Sequence, residues 1–342
     1  MEDDAIMNDV EKGIEEATEA YTVLDFGVAF NEMATKASTT VVPGEDRPAT
    51  GDENNDEKKI SEVSVFLLED GKVIGILIPQ NRNQVSSNSD GSITLKDLKF
   101  VTKYKTNRTL EAHVVINGNQ FLKNINIGDA QSALNQQISG CLSADQLIKY
   151  GSTRIVFGKD ITNSYSSPSV AENNPTTILV KVSHVAARLD FSQFDVTLKG
   201  FEGNPTVVFD EAKFVNLQQN GKIVEGDASV NVKDGAFLNR SNRIGTRWTD
   251  MGTAYGYANQ YRQDSEMNTA LYVKFTVDGR TFEKTYPINP AGITKEVDHN
   301  GIKGGYLYDI KVRWTITPDW GDSTIEFYTR DWVHNSIPEI VL

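Results

Sequence analysis

The stretch Leu24-Asp-Phe-Gly-Val-Ala-Phe30 sets a large apolar side chain at every second position, Leu24, Phe26, Val28 and Phe30. A period of two is the signature of a strand with one buried face. The strand is expected over about residues 21–31. From Asn31 to Lys59 the chain turns polar and acidic and loses all periodicity. A strand tied to the rest of a protein by such a tether can dock into a fold and, once the tether is cut, leave it. An ordinary first strand is the simpler alternative.

Working outward, the next apolar segments also read as β. Val63, Val65 and Leu67 alternate, Asp70-Gly71 supplies a two-residue turn, and Val73 to Ile78 returns. Similar dipeptides stand at Asp90-Gly91, Asn117-Gly118, Asn220-Gly221, Asp234-Gly235, Asp278-Gly279 and Asn300-Gly301. Between most of them lie short runs rich in Val, Ile, Phe and Thr: Leu110 to Ile116, Thr177 to Val182, Leu271 to Val277, Thr281 to Ile288 and Tyr306 to Thr317. Many short strands with this punctuation indicate an all-β chain built of antiparallel sandwiches. One patch departs from the pattern. Asp129 to Ile138 and Ser143 to Tyr150 are rich in Ala, Gln and Leu, and Ser143 with Gln146 fits a capping box. The patch predicts a small helical insertion in the first sandwich, and Val10 to Ala20 a short helix in an acidic arm.

At 342 residues the chain suits two domains of about 150 to 180 residues. Composition shifts to Ser, Asn, Pro and Tyr between Ile161 and Thr177. The division expected is an arm, first strand and tether over 1–59, a first sandwich over 60–172 and a second over 173–342. A net charge of −13 opposes nucleic acid and anionic lipid. The longest apolar runs fall far short of the roughly 20 residues a membrane helix needs. Cys141 is the single cysteine, so no intramolecular disulfide forms. Met1 to Ala5 carries neither a basic start nor an apolar run, which fits a cytosolic protein or a mature form already relieved of its signal.

Chemistry-bearing motifs are scarce. His113, His184, His299 and His334 are scattered, with no second ligand at zinc spacing. Nucleophile elbows, phosphate loops and zinc-protease motifs are missing. The acidic run Asp52 to Glu57 lacks calcium-loop spacing and reads as linker. No cofactor and no catalysis are expected. A carboxylate pair acting as a glycosidase rests on abundance alone. Between Arg240 and Arg262, Arg240, Arg243 and Arg247 interleave with Trp248, Tyr255, Tyr257 and Tyr261. Arg247, Trp248, Tyr255 and Tyr257 are the candidate ligand platform for sugar stacking or protein contact. A surface loop whose aromatics cover a sheet edge is the structural alternative. Arg188 reads as a paired arginine on a strand.

The far end of the chain is apolar. Ile325 and Phe327 alternate, and Trp332, Val333, Ile337, Ile340 and Leu342 follow. Such a stretch docks within its own sheet or serves as a strand for another subunit; Ile325, Phe327, Trp332, Val333 and Ile337 are the candidate donor residues.

Several of these segments together resemble the fimbrillins of Bacteroidetes, the subunits of type V pili. The resemblance lies in the first strand, the Thr35-Lys36-Ala37 segment and the acidic stretch leading into Ile60-Ser-Glu-Val-Ser-Val-Phe66. It continues in Val185-Ala-Ala-Arg-Leu-Asp-Phe191 and in Tyr306-Leu-Tyr-Asp-Ile-Lys-Val-Arg-Trp314 followed by Trp320. The resemblance implies export as a lipoprotein to the outer membrane and two tandem transthyretin-like sandwiches. It also implies a trypsin-like cut that removes the first strand, and exchange for a strand from a neighbouring subunit. The partners implied are other fimbrial subunits, and possible further ones a host surface protein or glycan; nucleic acid is not among them. Two departures stand out. The expected cut falls at Lys36-Ala37 rather than after an arginine, and the alternative Arg47 precedes Pro48. The lipid-bearing cysteine of the family is also missing from the sequence. The expectation is a fimbrial structural subunit, with a tip or accessory adhesin, or a surface glycan-binding lipoprotein, as the rival.

Overall fold

The computed structural model describes residues 19–30, 56–238, 243–289, 300–331 and 339–341. In chain order, β1 (Tyr21–Phe30) is followed by β2 (Lys59–Ile60), β3 (Val63–Glu69), β4 (Lys72–Leu77), β5 (Val85–Ser87), β6 (Ile93–Lys103) and β7 (Thr109–Ile116). The four-residue helix α1 (Asn119–Leu122) and β8 (Gln137–Ser139) lead to β9 (Lys149–Val156), and α2 (Pro168–Glu172) precedes β10 (Thr176–His184). Then come β11 (Ala187–Leu198), β12 (Val207–Val215), β13 (Leu217–Gln218), β14 (Asn220–Lys222), β15 (Val232–Lys233) and β16 (Arg243–Ile244). The rest are β17 (Arg247–Gly256), β18 (Ala270–Val277), β19 (Arg280–Pro287), β20 (Tyr306–Ile316), β21 (Gly321–Asp331) and β22 (Glu339–Ile340). The chain is all-β, as its alternation and turn dipeptides require.

Eight strands form one sheet in the order β4-β3-β7-β9-β10-β1-β6-β5. The sheet folds over until its ends meet. A Cβ placed on Gly75 of β4 would lie 2.8 Å from the Phe100 ring on β6, so any side chain there would have to push that ring aside. Leu24, Phe26, Val28, Val65, Ile93, Val114, Ile155 and Val180 share the enclosed core. A second sandwich sets the sheet β17-β11-β20-β21 over β16-β12-β18-β19. Its core is aromatic, with Phe194 edge-on to Phe209 and Phe275 at 5.4 and 5.3 Å between ring centroids. A third cluster joins the two, drawing Phe66, Leu134, Ile138 and Ile148 from one side and Ile223, Tyr257 and Leu307 from the other.

Two expectations need correction. The helical insertion is absent: residues 129–150 form 3-10 turns at Gln131–Leu134 and Ala144–Gln146, with β8 between them and β9 beginning at Lys149. Ser143 makes no side-chain cap. Leu134, Ile138, Leu147 and Ile148 are buried in the joining cluster, so packing overrides helix propensity here. The composition break at 161–177 is likewise not where the chain changes sheets. Thr176–His184, expected to open the second sandwich, pairs within the first sheet, and β11 of the second begins at Ala187.

Turn chemistry explains which dipeptides make hairpins. Asp70-Gly71 and Asp278-Gly279 have both φ values positive (50° and 72°, 47° and 80°), the primed geometry that matches strand twist. They join β3 to β4 and β18 to β19. Asn117-Gly118 does not; Asn117 instead accepts from Ser61 N at 2.9 Å and donates to the Lys59 carbonyl, bracing the start of the first sheet.

On β7, His113 is buried and its Nδ1 lies 2.8 Å from the Tyr150 hydroxyl. Burial depresses its pKa more than the neighbouring Glu111 raises it. Below the unfolded value of about 6.5 the unfolded chain takes up a proton that the folded chain resists, so stability present above that pH is lost as pH falls. Urea midpoints at about pH 7.5 and about pH 5.5 should therefore differ, and His113→Gln should narrow the difference.

Candidate functional site

The candidate site is the position that β1 occupies. β1 runs parallel to β10, Leu24 opposite Thr176 and Phe30 opposite Val182. It runs antiparallel to β6, Tyr21 opposite Lys103 and Val28 opposite Ile93. β10 and β6 are bridged only through β1 in the sheet order, so its removal would leave two facing edges one strand apart. Unpaired edges of this kind are templates for another strand.

Side chains explain why the position is filled. Leu24, Phe26 and Val28 are wholly buried and Phe30 nearly so, among Ile178, Val180 and Val182 of β10 and Ile93 and Leu95 of β6. At about 1.5 to 3 kcal/mol each, four such side chains stabilise the docked strand by roughly 6 to 12 kcal/mol gross, an upper bound because the undocked strand is not fully exposed. A strap crosses the start of β1. Tyr21 and Tyr165 exchange backbone hydrogen bonds of 2.8 Å in both directions, α2 packs over β1 and β6, and the Lys99 ammonium donates to the Glu172 carbonyl. Ser167 caps α2 through Val170 N, and Pro168 at its first turn needs no N–H partner.

The other end of β1 sits beside a buried polar cluster. Lys149, 1% exposed, lies 6.0 Å from the Phe30 ring centroid and donates to the Glu57 carbonyl at 2.7 Å. The Glu57 carboxylate, fully buried, receives the Tyr255 hydroxyl and the Arg188 guanidinium, the latter at 3.1 Å. Arg188 also pairs with Asp190 at 2.9 Å. Burial alone would lower the Arg188 pKa, but the charges of Asp190 and Glu57 outweigh it and hold the guanidinium protonated. Arg188 is thus the paired strand arginine expected from the sequence. Glu57, placed by composition in a solvated linker, was missed; no local pattern distinguishes a carboxylate that a distant arginine will bury.

The proposed ligand platform does not exist as a surface. Trp248 is 5% exposed, set in the second core against Phe194 and Phe209. Tyr257 is buried in the joining cluster and donates to the Gly140 carbonyl at 2.7 Å, and burial pushes its phenol pKa far up. Tyr255 serves Glu57. Only Arg247 is exposed, 3.6 Å from Asp195. A bulge in β17 at Asp250 and Met251, opposite Ser192, breaks the alternation and turns both Trp248 and Met251 inward, so the aromatics are core rather than display.

Lys36, Ala37 and Arg47 lie outside the described residues, as do Trp332, Val333 and Ile337. Ile325 and Phe327 stand on β21, in register with Val312 and Ile310 of β20, not in a loose tail. Glu339–Ile340 pairs in parallel with Lys59–Ile60, and Ile340 joins the first core. Among the described residues no helix is long and apolar enough to cross a membrane, and no group of three His, Cys, Asp or Glu could hold a metal ion.

No protein-family model and no curated protein sequence matches this chain. Solved structures do. A candidate cell-adhesion protein of Parabacteroides distasonis superposes with a TM-score of 0.61 at 17% identity, covering 92% of this chain and 98% of that one. A second such protein from the same organism gives 0.53 at 12% identity, covering 92% and 99%. The fimbrilin FimA of Porphyromonas gingivalis gives 0.51 at 14%, covering 92% and 98%. The chain has a fimbrillin fold. At these identities the likeness is one of fold, with similarity over nearly the full length of both chains.

Truncating Phe26 to Ala should cost about 3 to 5 kcal/mol of unfolding free energy, and Trp248→Ala a similar amount, both read by urea denaturation. Arg188→Met, which deprives the buried Glu57 carboxylate of its cation, should cost about 3 to 5 kcal/mol.

Proposed function

We propose that this chain is a structural subunit of a cell-surface fimbria that polymerises by strand exchange, with no catalytic step of its own. The single observation that carries the reading is the place of β1. It is an interior strand whose sheet neighbours are far away in sequence, and residues 31–55 separate it from the next described element. In this reading the two sandwiches are transthyretin-like domains. Proteolysis at Lys36-Ala37, or at Arg47, severs β1, and a neighbouring subunit supplies the replacement strand. Backbone pairing along β10 and β6 gives affinity, and the pockets of alternate side chains give register. The fold shared with FimA supports this reading, as does the burial of all four apolar residues of β1. Other fimbrial subunits are then the partners and the cell surface the location. The rival role as a glycan-binding adhesin was motivated by Trp248 and its neighbours. Trp248 and Tyr257 are buried, which takes the stacking surface out of that motive and leaves Arg247 as its one exposed member.

Limited trypsin digestion should cut between β1 and β2, and Lys36→Gln with Arg47→Gln should abolish that cut. Trimmed protein, heated briefly to release β1, should take up a strand supplied in trans, read by size exclusion with a labelled 21–30 peptide, whereas uncut protein should not. Trimmed protein with a vacated groove that takes up no added strand would overturn strand exchange.

A further inference from the structure

We infer that the groove held by β1 selects its occupant by a side-chain code that β1 meets imperfectly and that residues 319–342 do not meet, so that its better partner is a strand of different sequence. The inference rests on the strand-exchange reading and names the partner class of the same site.

The code follows position by position. At 24, 26 and 28 the groove takes large apolar side chains and leaves none of their surface exposed. At position 27 it demands a small residue: a Cβ there would stand 3.2 Å from Leu179 Cδ1 and 3.3 Å from the Ile93 carbonyl oxygen. The backbone oxygen belongs to the wall of the groove and cannot swing aside, so alanine fits with a slight shift and a branched residue does not. At position 30 an aromatic ring is favoured, because the buried Lys149 ammonium lies over it and a ring face attracts a desolvated cation.

β1 violates the code at two places. Thr22 is fully buried and its Oγ1 has no hydrogen-bond partner. Asp25 carries a buried carboxylate oxygen, Oδ1, also without a partner. The second defect has a visible origin. Between Leu24 and Phe26 the partner on β6 jumps from Phe100 to Leu95, so Asp25, paired with Thr177 of β10, faces a bulge on its β6 side. A buried polar atom left unpaired costs its full desolvation. β1 is therefore held by four apolar anchors and weakened by two polar atoms, as suits an occupant that has to be displaced.

The apolar segment near the other end fits worse. Within residues 319–342 no register gives even three large apolar residues in strict alternation. Ile325 and Phe327 are followed by Thr329, and Glu326 stands between them where the groove requires a small residue. Ile340 and Leu342 are preceded by Pro338, which lacks the N–H that an interior strand donates. A second copy offering this segment would leave two anchor pockets empty.

Two measurements test the code. In the intact chain, Thr22→Val and Asp25→Ala should each raise the urea midpoint, and Gly27→Val and Phe30→Leu should each lower it. In protein trimmed by trypsin and freed of β1, three labelled peptides are compared by fluorescence anisotropy: residues 21–30, the same peptide carrying Thr22→Val and Asp25→Ala, and residues 323–342. The doubly substituted peptide should bind about tenfold or more tighter than the native one, and the 323–342 peptide at least about tenfold weaker. Equal binding by the 323–342 peptide, or lower stability in Thr22→Val and Asp25→Ala, would overturn the code while leaving strand exchange intact. Failure of the native 21–30 peptide to rebind would overturn the strand-exchange reading itself.

Discussion

Everything in the first half of this molecule depends on the main-chain pairing of β1 between β10 and β6. A sheet is stable where each interior strand finds partners on both sides, and here the strand that closes the sheet comes from the far end of a long connection. Its neighbours are about seventy and one hundred and fifty residues away in sequence. No local contact holds it, so its retention depends on the apolar side chains it buries and on the strap from Tyr165 to Glu172.

Electrostatics ties this strand to the rest of the protein. Lys149 lies over the Phe30 ring on one side and donates to the Glu57 carbonyl on the other, while the Glu57 carboxylate reaches Arg188 and Tyr255 of the second sandwich. A buried carboxylate is tolerated only where cations and donors meet it. The point at which the chain returns after residues 31–55 is thus pinned to both sandwiches at once. Occupancy of the groove and the seating of one sandwich on the other share this set of groups.

Much of the fold was legible in local pattern. The alternation of Leu24 to Phe30, Val63 to Leu67 and Leu271 to Val277 maps onto strands within a residue or two, because period two is a local consequence of strand geometry. Asp70-Gly71 and Asp278-Gly279 marked their hairpins because those residues accept positive φ. The failures share one cause. Asp129 to Ile138 and Ser143 to Tyr150 read as helical, and Arg247, Trp248, Tyr255 and Tyr257 as a platform, because propensity and polarity describe a segment before its neighbours are known. In the folded chain both segments are claimed by packing, one by the joining cluster and the other chiefly by the aromatic core.

By itself the sequence determined the β class, the apolar face of β1 and the polar stretch that follows it, since each is written in side chains a few residues apart. Tertiary structure alone decided that β1 is an interior strand, that Thr22 and Asp25 bury unpaired oxygens, and that Glu57 is a buried anchor and not a solvated linker residue. Those facts arise from contacts between segments far apart in the chain. Burial and partnership are properties of the assembled sheets, and no local pattern carries them.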